Sequence, residues 1–140
     1  MLVLYISQQV IYWMFLFYVW YRQIDGFAPT FLKKPAIRQE DDGKRLLFEC
    51  LIKADPVPSV KWSHNAEAVE DSGAGGRHKL TVQKDGQEYF SALEIKNVTV
   101  EDAGKYKVTA KNELGESNAT ITLNFDSKYI RPYNIYLQTK

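Results

Sequence analysis

Asp102-Ala103-Gly104-Lys105-Tyr106 is the stretch of sequence that decides the fold of this 140-residue chain. Gly104 lets the chain reverse sharply, because glycine adopts backbone angles that other residues avoid, and Asp102 can cap the same turn. Beyond the turn, Val108 and Ala110 continue at a two-residue period. The stretch therefore predicts a tight corner followed by a strand with one apolar face.

The same two-residue period recurs on both sides of that corner, with turn signals between the runs. The inward positions that it predicts are Leu46, Phe48, Cys50 and Ile52; Val60 and Trp62; Leu80 and Val82; Leu93 and Ile95; and Ala119, Ile121, Leu123 and Phe125. Gly86 and Gly115 lie in connecting segments and can close hairpins, because glycine accepts a positive φ. Short strands at this spacing, with no sustained helical period between them, predict an all-β sandwich of two sheets.

Three features of this sandwich occur in a diagnostic order. Cys50 stands twelve residues before Trp62, and the Asp-x-Gly-x-Tyr corner follows much later. This order resembles the immunoglobulin superfamily, in which a cysteine, a tryptophan on the next strand and such a corner follow one another. The resemblance implies an immunoglobulin-like Greek-key sandwich from about Ala28 to Phe125.

The resemblance also assigns structural roles. Tyr106 is expected to bury its ring between the sheets while its hydroxyl bonds back to the preceding turn. Asp102 is expected to cap that turn and to pair with a basic residue, either Arg77 or Lys79. The residues expected to form the structural core are Cys50, Trp62, Leu93, Asp102, Gly104, Tyr106 and Val108.

One position departs from the family pattern. The second cysteine of the family belongs two residues after the corner tyrosine, where this chain has Val108. Cys50 is the only cysteine, so no disulfide can form within the chain, and its thiol is expected to pack against Trp62 as a small apolar group. A domain of about 100 residues can be stable on its core alone. The missing disulfide favours a cytoplasmic compartment.

Further segments resemble the intermediate set (I-set) of immunoglobulin domains in the twitchin, projectin and titin group of muscle giant proteins. They are Ala28-Pro29-Thr30-Phe31, Val60-Lys61-Trp62, 93–98 and 110–116, and Pro35 is expected to divide the first strand. The resemblance implies a non-catalytic structural and protein-binding module of a sarcomeric or cytoskeletal protein. The partners it implies are neighbouring immunoglobulin or fibronectin modules and filament proteins such as myosin. Any Ser/Thr kinase of the parent protein would be a separate domain.

Composition divides the chain into an apolar N-terminal segment (1–24), the sandwich (25–127) and a polar C-terminal tail (128–140). Val10 to Tyr21 is an unbroken apolar run, preceded by the polar Ser7-Gln8-Gln9. One interpretation is a signal anchor, with Arg22 favouring a cytoplasmic sandwich. The other is a fragment end or a mispredicted start that belongs to no natural domain. A membrane is expected as a partner only through residues 1–21.

A membrane-anchored cell-surface recognition domain is the alternative function. Two N-x-T sequons, at Asn97 and Asn118, favour it, and the missing disulfide opposes it.

The edge strand that contains Phe31 could also accept a partner strand. Residues 72–76 are expected to form a flexible insertion.

Other classes of function find little support in the sequence. The net charge is +1, and no basic patch is interleaved with aromatic residues, so nucleic acid is not an expected partner. His64 and His78 lack a cysteine or carboxylate at ligand spacing, so they are expected to be solvated surface residues. No metal or other cofactor is therefore expected. Gly73-Ala74-Gly75-Gly76 lacks the Lys-Ser/Thr of a phosphate loop, no catalytic residue is assigned, and the chain is not expected to be an enzyme.

Overall fold

The computed structural model describes residues 7–22 and 25–125 of the chain. Within these residues, helix α1 (Gln8–Arg22) precedes the strands β1 (Phe27–Glu40), β2 (Arg45–Asp55), β3 (Ser59–His64), β4 (Glu67–Ala68), β5 (His78–Asp85), β6 (Glu88–Lys96), β7 (Gly104–Asn112) and β8 (Gly115–Leu123). Short 3-10 turns occupy Asp41–Gly43 and Val100–Asp102. The tail predicted for 128–140 lies outside the described residues.

The strands form two antiparallel sheets, in the orders β1-β2-β6-β5 and β4-β3-β7-β8. The central pairs, β2 with β6 and β3 with β7, join strands that are not consecutive in sequence. This is the Greek-key arrangement of an immunoglobulin-like sandwich. The predicted fold class is therefore confirmed.

The two-residue period determines which side chains the sandwich buries. β2 buries every second residue from Leu46 to Ala54, and β7 does so from Tyr106 to Asn112. The core consists of Leu46, Phe48, Cys50, Ile52, Ala54, Trp62, Tyr89, Leu93, Ile95, Tyr106, Val108, Ala110 and Leu123. Burying one large apolar side chain stabilises a fold by about 1.5–3 kcal/mol. Cys50 is a free, buried thiol, so this core holds the described sandwich without a disulfide.

Two details of the strands differ from the sequence-based prediction. Val82 lies on the predicted inward side, opposite the buried Ser91, but it is 51% exposed, because β5 is an edge strand with a neighbour on only one side. Pro35 does not divide the first strand, because β1 pairs with β2 from Phe27 to Glu40. The proline instead coincides with a register shift between Lys33 and Ala36. Proline has no amide hydrogen, and an edge strand with a shifted register tolerates its absence.

The chain enters and leaves the sandwich at opposite ends. The side chain of Asn112 donates a 2.9 Å hydrogen bond to the carbonyl oxygen of Phe27, so β1 begins beside the β7–β8 turn. β8 starts at that turn and ends at Leu123, which pairs with Gly104 at the corner. The nine residues of β8 therefore separate the two ends, by about 27 Å at the usual rise of a strand.

Helix α1 contains the apolar run seen in the sequence. It has 15 residues, and each of its side chains from Gln8 to Tyr21 is exposed. Among the residues that the structure describes, no helix is long and apolar enough to span a membrane.

Candidate functional site

The corner before β7 is built as the sequence predicts. The hydroxyl of Tyr106 donates a 2.7 Å hydrogen bond to the carbonyl oxygen of Asp102. The Asp102 carboxylate accepts the backbone N–H of Thr99 at 2.7 Å, which caps the 3-10 turn. Nη2 of Arg77 donates to the same carboxylate at 2.6 Å. Of the two basic candidates, the partner is therefore Arg77 and not Lys79.

Burial protects the hydrogen bond of the corner tyrosine. Tyr106 is 1% exposed, and this burial raises the pKa of its hydroxyl far above the usual range, with a further contribution from the Asp102 charge. The hydroxyl therefore remains a donor. Gly104 has a φ of +134°, and a Cβ at this position would clash with the side chain of Asn65. The corner needs glycine both for its conformation and for this close approach.

His64 is not the solvated residue that the sequence predicts. Its ring stacks on Tyr106, with 4.4 Å between ring centroids and 9° between planes. Its Nε2 lies 2.8 Å from the carbonyl oxygen of Ala103. The sequence gives no signal for this contact, because it depends on the β3–β7 register that pairs His64 with Tyr106. His78, also predicted to be solvated, is half-buried at the start of β5.

A polar contact lies in the core beside Cys50. Nε1 of Trp62 donates a 3.0 Å hydrogen bond to the hydroxyl oxygen of Ser91, and Ser91 is the register partner of Cys50 on the neighbouring strand. Burial raises the pKa of the Cys50 thiol to about 12, so it stays neutral and unreactive. Val108 is fully buried and pairs with Trp62 across the β3–β7 register. Leu93, on β6, is also fully buried. Ser91 was missed, and its only signal is a polar residue at an inward position of β6.

The loop predicted to be flexible is tied down at its base. The Asp71 carboxylate accepts the backbone N–H groups of Gly73 at 2.7 Å and Leu80 at 2.9 Å. Both hydrogen bonds lower the pKa of Asp71, and the one from Leu80 has the larger effect. The loop therefore has a fixed attachment to the first residues of β5.

The described residues hold no group of three or more His, Cys, Asp or Glu side chains that could bind a metal ion. A concavity of about 1000 Å³ lies outside the sandwich. It is lined only by α1 side chains such as Trp13, Phe17 and Trp20, and no charged residue is among them.

The outer face of the first sheet carries paired charges. Arg38 lies 2.7 Å from Glu40 and 2.8 Å from Glu49. Arg45 contacts Glu40 and lies 3.2 Å from Glu94. These ion pairs connect β1, β2 and β6, and they neutralise much of the charge on this face.

The outer face of the second sheet is different. Its cations are Lys61 on β3 and Lys105, Lys107 and Lys111 on β7, which together we call the lysine face. All four are exposed, and no carboxylate of the described residues lies within ion-pair distance of them. Strand pairing places neighbouring members about 7 Å apart. Glu116, opposite Lys111, is the only acidic residue of β3, β7 and β8.

A two-sheet Greek-key sandwich with a tryptophan core and a tyrosine corner defines an immunoglobulin-type domain. The family model described as "Immunoglobulin I-set domain" matches residues 29–125. The chain therefore belongs to the immunoglobulin I-set family, whose fold is non-catalytic.

The chain is similar to parts of several larger proteins. It is 34% identical over 111 residues to the smooth-muscle myosin light chain kinase of Gallus gallus, covering 78% of this chain and 6% of that protein. It is 34% identical over 99 residues to Neuroglian of Drosophila melanogaster, covering 71% and 7%. The solved twitchin kinase region from C. elegans matches with a TM-score of 0.55 and 29% identity, over 69% of this chain and 16% of that one. The chain spans less than a tenth of the length of the first curated relatives that it matches.

Proposed function

We propose that the chain is a structural and protein-binding module of a sarcomeric or cytoskeletal filament protein. The proposal rests on the positions of its two ends, beside Asn112 and beside Gly104, at opposite ends of β8. Force applied through the chain ends runs along the strands and loads many ladder hydrogen bonds together. The similarity to a smooth-muscle kinase and to a twitchin region supports this setting.

Single-molecule pulling in two directions tests the mechanical role. One variant carries handles at Asp25→Cys and Asn124→Cys, at opposite ends of the sandwich. The control keeps the first handle and moves the second to Glu113→Cys, beside the start of β1. Cys50 does not compete for the handles, because it is buried. We expect a several-fold higher unfolding force for the first variant. Equal forces would contradict the proposal.

The lysine face is the docking surface in this proposal, and its occupant is an acidic polypeptide segment. Four unpaired lysines on neighbouring strand positions about 7 Å apart suit carboxylates spaced along an extended chain. The other outward residues of these strands are mainly hydroxyl and amide side chains, including Ser63, Thr109 and Thr120. The face has no aromatic ring on which a nucleic-acid base could stack. An acidic protein segment is therefore favoured over a nucleic acid.

A charge-reversal experiment tests this surface with a poly-glutamate peptide as the probe. The test variant, Lys61→Glu/Lys107→Glu, reverses the charge of two lysines of the lysine face. The control variant, Lys79→Glu/Lys96→Glu, makes the same charge change on the other sheet. We expect at least a tenfold loss of affinity for the first pair only. Equal losses would show that net charge alone attracts the peptide. Tighter binding to single-stranded RNA than to the peptide would point to the competing partner class and overturn the proposal.

Cell-surface recognition is the second candidate, favoured by the similarity to Neuroglian. Both sequon asparagines, Asn97 and Asn118, are exposed and therefore accessible to glycosylation. Asn118 lies on β8 beside β7, so a glycan there would cover part of the lysine face. Mass spectrometry of the native protein distinguishes the candidates. Glycan at either asparagine supports the surface role, whereas unmodified sequons support the filament role.

A further inference from the structure

Helix α1 exposes twelve consecutive large apolar side chains, from Val10 to Tyr21. Leu16 is the least exposed of them at 39%, and Trp13 the most at 71%. Apolar surface in water costs about 25 cal/mol per Å², and contiguous patches of this kind mark sites of protein or membrane contact. The helix therefore needs a cover in its working environment.

The distribution of the apolar side chains indicates what that cover is. A helix that docks on a protein has one apolar stripe and an opposite polar face. Between Val10 and Tyr21, α1 has no polar face, because its tryptophan, phenylalanine, tyrosine and aliphatic side chains occupy all sides. Whatever covers these side chains must therefore contact the helix on all sides, as the hydrocarbon core of a lipid bilayer does.

The length of the uncharged sequence agrees with a bilayer. Residues 1–21 contain no Asp, Glu, Lys, Arg or His. Leu2 to Tyr21 is a run of 20 uncharged residues, which is about the length of apolar sequence that the hydrocarbon core of a bilayer accommodates. Of these positions, α1 supplies those from Gln8 to Tyr21.

The end of α1 nearest the sandwich has the sequence of a membrane boundary. Trp20 and Tyr21 close the apolar run, and Arg22 follows. Tryptophan and tyrosine favour the level of the lipid headgroups, and basic residues favour the cytoplasmic side of a membrane. The unpaired Cys50 agrees with the same side, because reducing compartments keep thiols free.

We propose that α1 embeds in a lipid bilayer and tethers the sandwich to the cytoplasmic face. Trp20 and Tyr21 lie at the headgroup level, and the domain remains in water. This tether is additional to the proposed filament role and does not depend on it.

Vesicle flotation of the full chain tests the proposal. The vesicles are pure phosphatidylcholine, so the lysine face gains no anionic lipid to attract it. The helix variant is Leu16→Asp/Val19→Asp, and the control, Leu32→Asp/Val82→Asp, makes the same change at exposed apolar positions of the sandwich. We expect the unaltered chain and the control to float, and at least a tenfold fall in the vesicle-bound fraction for the helix variant. Trp13 and Trp20 should shift their emission to the blue on binding.

Three results would overturn the proposal. The unaltered chain could fail to float, all three proteins could float equally, or the chain could form a discrete oligomer that excludes vesicles, which would make a second copy the cover. A urea midpoint that is the same in all three proteins shows that the sandwich is intact. The pulling and peptide-binding experiments do not involve lipid, so failure of the tether is distinguishable from failure of the filament role.

Discussion

The guanidinium of Arg77 lies 2.6 Å from the carboxylate of Asp102, although 25 residues separate them in sequence. The Asp102 side chain is only 8% exposed. Arg77 also donates hydrogen bonds to the carbonyl oxygens of Lys96 and Asn97, each at 3.2 Å. One arginine thus joins the start of β5 in the first sheet to the turn that precedes β7 in the second.

A double-mutant cycle measures the strength of this connection. Arg77→Met leaves a buried carboxylate without its cation, and Asp102→Asn removes the charge while keeping an acceptor for Thr99. We expect a coupling free energy of about 1–3 kcal/mol from urea unfolding. The Arg38–Glu49 pair, at 2.8 Å, is the control, since Arg38 is 57% exposed, and its coupling should be about 0.2–1 kcal/mol. Equal coupling in the two pairs would contradict a special role for the corner.

Tyr106→Phe removes the hydroxyl that bonds to the carbonyl oxygen of Asp102 and leaves that oxygen without its partner. We expect a loss of about 1–3 kcal/mol in the free energy of unfolding, measured by urea titration. Tyr12→Phe, on the exposed helix α1, makes the same chemical change and should have almost no effect. A neutral Tyr106→Phe would show that packing of the ring alone holds the corner.

Ser91→Ala removes the acceptor of the Trp62 indole N–H inside the core. A buried donor without an acceptor costs about 1–3 kcal/mol, so the urea midpoint should fall accordingly. Ser63→Ala is the matched control, because the Ser63 hydroxyl lies 3.5 Å from its nearest acceptor, the Lys107 carbonyl oxygen, and should cost less than about 0.5 kcal/mol. If the two variants are equally stable, Ser91 does not support Trp62.

The contrast between Tyr106 and His64 shows how far the sequence predicts this structure. The role of Tyr106 is implied by the resemblance of the local Asp102, Gly104 and Tyr106 pattern to the corner of the immunoglobulin family, so the corner could be predicted. The stacking of His64 depends on the register between two strands, which the local pattern does not specify. The choice of Arg77 over Lys79 depends on the same kind of long-range placement. The lysine face was missed for this reason too, since its members come from separate strands.

The loop between β4 and β5 should give the domain a specific pH dependence. Hydrogen bonds from Leu80 and Gly73 lower the pKa of Asp71 below its usual value of 3.8. The folded state therefore binds this proton more weakly than the unfolded state does, and the stabilisation is present above about pH 4 and lost as the pH falls through the lowered pKa. Asp71→Asn should reduce the urea midpoint near neutral pH, and the difference from the unaltered chain should shrink in acid. A difference that is constant with pH would contradict this role.

Alkylation of Cys50 tests the central claim, a sandwich held by its core around a free buried thiol. The protein is treated with iodoacetamide at increasing urea concentrations, with and without prior reduction, and labelling is measured by mass spectrometry. We predict no labelling of the folded protein, labelling that rises together with the loss of β-sheet circular dichroism, and the same midpoint with and without reductant. Labelling of Cys50 in the folded state, or a midpoint that shifts on reduction, would contradict the account.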